Sequence, residues 1–208
     1  MNPSQIKFRD CQPGGASVSY NITCRYFEKA GEENTTEVLD LVSQRARQLG
    51  IGTILVATCS GKTALEATTR LGPATTIIAV THYTGFVRPN HQEMNDEMRR
   101  TLESKKVRVL TCQHAFGGVG RGIRRLLKTY QVEEIMAYTL RMFGQGTKVA
   151  VELALMAADA GLVRTDEDVI SIGGTAKGAD TALLLRPANS AEVFNLQVRE
   201  IICKPAIY

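Results

Sequence analysis

The run Thr53-Ile-Leu-Val-Ala-Thr-Cys-Ser-Gly-Lys-Thr-Ala64 decides how the rest of the chain is read. Its first half is a short apolar segment, the mark of a strand buried on both faces. Its second half is a polar turn that opens a helix from about Lys62 to Arg70, closed by Leu71-Gly72-Pro73. A strand running directly into a helix is half of a βαβ unit. Gly61 lets the backbone turn without a Cβ, so that several N–H groups can point inward. Ser60 and Thr63 add hydroxyls, Lys62 adds a cation, and the helix start adds about half a positive charge. The set suits a phosphate monoester, although the same residues also read as a capped turn with a polar surface.

Working outward, Asn34-Thr-Thr-Glu37 is a capping signal, Val38, Val42, Ala46 and Leu49 recur at helical spacing, and Gly50 ends the run. Downstream, residues 75–81 read as a second strand. Residues 90–105 read as a charged helix with Met94, Met98 and Leu102 on one stripe, and 107–112 as a third strand. A Gly-rich loop at 114–122 leads into a helix carrying Ile123, Leu126 and Leu127. An alanine-rich helix spans 147–160 and stops at Gly161. Strands follow at 168–173, 181–186 and 196–203, the last close enough to its predecessor to run antiparallel to it. The pattern predicts a three-layer α/β/α fold whose mostly parallel sheet carries an antiparallel edge strand. Residues 31–208 form one domain in this reading, and residues 1–30 an N-terminal arm. Within the arm, residues 18–27 are placed to pair as an edge strand or to mediate subunit contacts.

The chain has 208 residues, 44% of them hydrophobic and 22% charged, which excludes disorder as its main state. No stretch approaches the roughly 18 apolar residues of a membrane span. The richest, 149–162, is cut by Glu152 and Asp159, so no membrane partner is expected. The first residues lack the apolar core of a secretory signal, which predicts a cytoplasmic protein. Cys11, Cys24, Cys59, Cys112 and Cys203 are odd in number and never spaced as C-x-x-C. That argues for reduced thiols and against a disulfide framework or a zinc site. Net charge is +4, and the densest basic run, 121–128, reads as a solvated helix face, so no nucleic-acid partner is expected.

Ligands of open parallel sheets bind beyond the carboxyl ends of the strands. Thr58, Cys59, Ser60, Gly61, Lys62 and Thr63 follow the first strand. The Gly-Lys-Thr triplet is not a P-loop, because Val56 stands where that loop needs its first glycine. His82 and Phe86 follow the second strand and His114 the third, groups that either flank a planar ligand or cap the sheet. His91 falls in the charged helix, exposed to solvent. No carboxylate stands near the histidines at metal-ligand spacing and no G-x-S-x-G occurs, so neither a metal nor a catalytic residue is assigned. Gly144, Gln145 and Gly146 open the long helix, either as a second anion or amide site or for close packing. Gly174, Thr175, Lys177, Gly178, Asp180 and Thr181 follow the fourth strand. Asp180 is suited to accept from a ribose or ribityl hydroxyl or a ring N–H, and the alternative for this loop is a tight turn. The two main loops lie at the same end of the sheet and are expected to share a pocket.

The 53–64 run, with Gly72-Pro73 and Thr76-Ile-Ile-Ala-Val-Thr81, resembles the C-terminal α/β domain of pyruvate kinase, where the equivalent loop holds the phosphate of a sugar bisphosphate activator. The chain is more similar still to stand-alone archaeal and bacterial proteins built on that domain. That likeness runs through Tyr26-Phe-Glu-Lys29, Phe143-Gly-Gln-Gly146, Ala157-Ala-Asp-Ala-Gly161, Gly173-Gly-Thr175 and Gly178-Ala-Asp-Thr181. The resemblance implies a flavin mononucleotide (FMN) cofactor, its phosphate held by residues 58–63. Gly174, Thr175, Lys177, Gly178, Asp180 and Thr181 would then line the pocket, with His82, Phe86 and residues 144–146 beside it. The catalytic barrel of pyruvate kinase has no counterpart in these 208 residues, so the resemblance does not imply kinase chemistry.

Three readings follow. The first is a binding protein for a small phosphorylated planar ligand, FMN. The second is a non-catalytic regulatory module that senses a sugar phosphate or nucleotide. The third, ranked last for want of a carboxylate partner, is an enzyme using His82 or His114 as acid/base. The strand near 196–203 and the arm are candidate surfaces for a homo-oligomer.

Overall fold

Periodicity along four strands sorts the core into two layers. In β2 (Thr53–Ala57), Ile54 and Val56 face one cluster and Leu55 the other. β3 (Thr76–Val80) divides the same way, with Ile77 and Ala79 opposed to Ile78 and Val80. So do β5 (Val169–Gly173) and β6 (Thr181–Arg186), where Ile170, Ile172 and Leu184 oppose Val169, Leu183 and Leu185. Both faces being apolar, the strands read as continuous hydrophobic runs, and a helical layer covers each. Each fully buried Leu or Ile contributes about 1.5–3 kcal/mol.

These coordinates, a computed structural model, describe residues 19–207. Cys11, the rest of the arm before residue 19, and Tyr208 lie outside the described residues. In chain order the remaining elements are β1 (Arg25–Lys29), α1 (Thr35–Leu49), α2 (Lys62–Arg70), α3 (Asp96–Ser104) and β4 (Arg108–Leu110), followed by α4 (Val119–Leu127), α5 (Val132–Arg141), α6 (Gln145–Asp159) and β7 (Gln197–Ile207). Val38, Leu39 and Val42 of α1, Ala64 and Ala67 of α2 and Leu102 of α3 pack on one face. The opposite layer is built from α6, buried along almost its whole length, and from Ala137 of α5.

The seven strands are ordered β1-β7-β6-β5-β2-β3-β4. β6 is antiparallel to both β5 and β7, and every other neighbouring pair is parallel. The last strand is therefore antiparallel to its predecessor, as the short connection predicts. It does not end the sheet, because β1, from the segment assigned to the arm, pairs beyond it with Arg25 opposite Cys203.

Three local expectations need correction. The helix expected over 90–105 begins only at Asp96, where the Asn95 side chain accepts the Met98 amide at 2.8 Å. His91 consequently lies in a loop, with its carbonyl accepting the Gly85 amide at 2.9 Å. Asn34 does not cap α1 with its side chain, which instead donates to the Lys29 carbonyl at 2.8 Å. The C-terminus of α1 is as expected: Gly50 is left-handed at φ 69°, and the Ile51 amide reaches the Ala46 carbonyl at 2.9 Å.

Candidate functional site

At the carboxyl end of β2 the chain folds back through a small closed turn. The Thr58 amide donates to the Val80 carbonyl at 3.0 Å, and the Thr58 hydroxyl accepts the Gly61 amide at 3.0 Å. Gly61 sits at φ 92°, and a Cβ there would lie 2.2 Å from Met98 Cγ, so both backbone and packing require glycine. No side chain caps α2, and the amides of Lys62 and Thr63 open it without an acceptor inside the helix. Ser60 and Lys62 are exposed, Cys59 is half-buried, and Thr58 and Thr63 are buried. An exposed hydroxyl and an exposed ammonium, from Ser60 and Lys62, thus flank an uncapped helix start on this rim of the sheet.

Val56 pairs with Ile172, so the β5–β6 loop stands beside this turn, level with Thr58. Asp180 is fully buried within it. Its Oδ2 accepts the Thr175 amide at 3.0 Å and its Oδ1 accepts the Thr181 hydroxyl at 2.7 Å, while its own amide donates to the Gly173 carbonyl at 3.2 Å. Asp180 is the internal brace of the hairpin, with no surface turned to solvent. Lys177 is exposed at the tip, Gly174 is half-buried, and Gly178 lies against Thr35 and Glu32 at the start of α1. The Thr175 hydroxyl is buried and has no hydrogen-bond partner.

The start of α6 meets the same rim from the other layer. A Cβ on Gly146 would lie 2.2 Å from Thr181 Oγ1 and 2.6 Å from Asp180 Oδ1, so close packing accounts for this glycine. Gly144 is buried, and Gln145 accepts from Arg141 Nε at 2.7 Å.

Beyond β3 and β4 the rim carries a dense polar and aromatic group. His82 stacks on Phe86 with ring centres 3.8 Å apart, and the His114 ring lies 5.3 Å from each. The Arg121 guanidinium sits 4.6 Å from the Phe86 ring centre. Contrary to the sequence expectation, the histidines have carboxylates nearby. Glu93 Oε2 lies 2.6 Å from His82 Nδ1. It arrives there because the Gln92 side chain donates to the His82 carbonyl at 3.0 Å, closing the 82–92 loop on itself. Cys59 Sγ is 3.4 Å from both His82 ring nitrogens.

Glu152 approaches His114 from α6 and accepts the Phe116 amide at 2.9 Å while pairing with Lys148. Both members of that ion pair are buried. Burial lowers the His114 pKa to about 4, against the pull of Glu152 and helped by the cations Lys148 and Arg121, so its ring is neutral at pH 7. Burial also lowers Lys148, opposed by Glu152. The Cys59 thiol is raised to about 11, chiefly by burial and further by Glu93. Glu93, Lys148, Glu152 and Arg121 escaped the sequence reading. One signal was present: Lys148 and Glu152, four apart, interrupt an otherwise apolar helix.

Two cavities open at the other end of the sheet. One of about 380 Å³ is bordered by Gly50, Thr53, Asp168 and Arg186, and one of about 250 Å³ by Thr75, Ile77 and Val107. Neither contains a residue of the rim. None of the helices of the described residues is long and apolar enough to cross a membrane.

Among solved structures, the chain is similar to two of pyruvate kinase from Cryptosporidium parvum, one of them in complex with ADP. Each is 16% identical with a TM-score of 0.39 over 74% of this chain. The match spans about a quarter of those proteins, 24% and 23% of their lengths. Residues 36–185, more than two thirds of the sequence, match the family described as pyruvate kinase, alpha/beta domain. The chain belongs to the pyruvate kinase alpha/beta domain family.

Proposed function

We propose that this chain binds a phosphorylated planar ligand, flavin mononucleotide, at the carboxyl rim of its sheet, with the phosphate in the 58–63 turn. The observation that carries the reading is that turn: a start of α2 that no side chain caps, flanked by the exposed Ser60 and Lys62. Each charge-assisted bond contributes about 1.5–3 kcal/mol net, so a few of them with ring contacts support micromolar affinity. Lys177, exposed on the adjacent hairpin, adds a second cation. Asp180 acts in this reading by bracing that hairpin rather than by touching the ligand. Tyr83, Phe86 and the 82–92 loop supply the apolar side. The flavin would carry any electron chemistry, and the protein its placement.

The regulatory reading, a sugar phosphate or nucleotide at the same turn, draws support from the Phe86 ring, already engaged by His82 and Arg121 and so less free to stack on a flat ligand. Titration of the purified chain with FMN, riboflavin and a sugar bisphosphate separates the readings. Quenching of FMN fluorescence by the protein, with far weaker quenching of riboflavin, is the expected result. Equal affinity for both flavins removes the phosphate turn from the account. Binding of the sugar phosphate alone selects the regulatory module.

A further inference from the structure

Cys59, His82 and Glu93 come from three separate positions, the end of β2, the end of β3 and the loop before α3, and meet at one point of the rim. Their donor atoms all lie within 4.8 Å of one another. We propose that these three side chains form a binding site for a zinc-class divalent cation. The donor set is one thiolate, one imidazole and one carboxylate, a mixture matched to borderline-soft metals and poorly matched to calcium or magnesium.

One separation already matches such an ion, and the others are brought to it by side-chain rotation. A tetrahedral zinc with ordinary bond lengths sets sulfur and nitrogen about 3.6 Å apart and nitrogen and oxygen about 3.3 Å apart. Cys59 Sγ and His82 Nδ1 are separated by 3.4 Å. The His82 Nδ1 to Glu93 Oε2 contact of 2.6 Å opens by a small side-chain adjustment when the metal replaces the proton between them. Cys59 Sγ is 3.4 Å from both ring nitrogens, so the His82 ring turns about its Cβ–Cγ bond to aim Nδ1 alone at an ion beside the sulfur.

Charge also balances. As the metal binds, the thiol proton passes to solvent and the proton displaced from between His82 Nδ1 and Glu93 is taken up at Nε2 through water, so one thiolate plus one carboxylate neutralise a dication with no change of oxidation state. The His82 and Glu93 side chains are 29% and 28% exposed, which leaves the fourth coordination position facing water. Three protein ligands and one open position is the arrangement of reactive zinc sites rather than of closed structural ones. The site does not depend on the identity of the organic ligand.

The test uses the full chain, stripped with chelator and reloaded with Co²⁺ or Zn²⁺. Cobalt is expected to give a thiolate-to-metal charge-transfer band. One equivalent of zinc is expected to stay through desalting. Cys59→Ser should abolish the band and Glu93→Gln should weaken retention at least tenfold, with circular dichroism reporting that the variants fold. Absence of the band in the wild type, or its survival in Cys59→Ser, overturns the site. A measurement on unmutated protein backs this up: Zn²⁺ should protect Cys59 from alkylation and leave Cys24 and Cys112 unchanged, and equal alkylation of Cys59 with and without zinc also overturns it.

Discussion

The Thr35 hydroxyl accepts the Ala179 amide at 3.0 Å, tying the first residue of α1 to the β5–β6 loop across a sequence separation of 144. The same hydroxyl donates to the Glu32 carbonyl at 2.7 Å, so both of its capacities are used. Thr35→Val keeps the shape and removes both bonds, leaving a buried amide without an acceptor. The expected cost is about 1–3 kcal/mol in urea unfolding. Faster amide exchange in the 174–180 loop should accompany it. An unchanged midpoint would mean that the loop is held by Asp180 alone.

Ser60 and Lys62 are exposed, so their replacement by alanine spares the core. The double variant should bind FMN roughly 10- to 100-fold more weakly, the loss of one or two charge-assisted bonds. Riboflavin affinity should stay where it is. Calorimetry that finds the FMN affinity intact would move the phosphate elsewhere on the rim.

Glu152 holds both the Lys148 ammonium and the Phe116 amide in a buried place. Glu152→Ala strands both and is expected to destabilise the fold by about 3–5 kcal/mol. Lys148→Met combined with Glu152→Gln removes both charges yet keeps an acceptor for Phe116, and should cost less than half as much. If denaturant curves show the two changes adding independently, the ion pair is not a coupled unit.

His114 makes stability depend on acid. Its folded pKa of about 4 lies below the ordinary 6.5, so the unfolded chain binds a proton that the folded one refuses. The contribution is complete above pH 6.5 and is lost as the pH falls towards 4, by about 3 kcal/mol at the end of that window. Subtracting the stability–pH curve of His114→Gln from that of the wild type isolates the effect, because carboxylates common to both cancel. A flat difference would place the imidazole in water.

Elements with one clear period were legible in the sequence. α2 occupies Lys62–Arg70 as expected, and Gly50 ends α1 where the helical spacing stops. What escaped depends on tertiary closure. α5 was not anticipated, because five of its large side chains, among them Val132, Ile135 and Tyr138, are exposed or half-buried and blur the apolar stripe. Glu93 was placed in a helix by the charged run around it, whereas the bond from Gln92 to the His82 backbone turns it back onto the imidazole. The 58–63 turn and the 174–181 loop were found because glycine and hydroxyl residues mark strand ends. For Asp180 the residue type suits either a ligand or a tight turn, and its burial and hydrogen bonds within the loop are what tertiary structure adds.

β1 has a single sheet neighbour, β7, and that neighbour closes the described chain. During synthesis β1 therefore emerges without its partner and waits until β7, the last of the described strands, has been made. Until β7 docks on β6, β1 has no partner to pair with, so among the described strands it is the last to be sealed into the sheet.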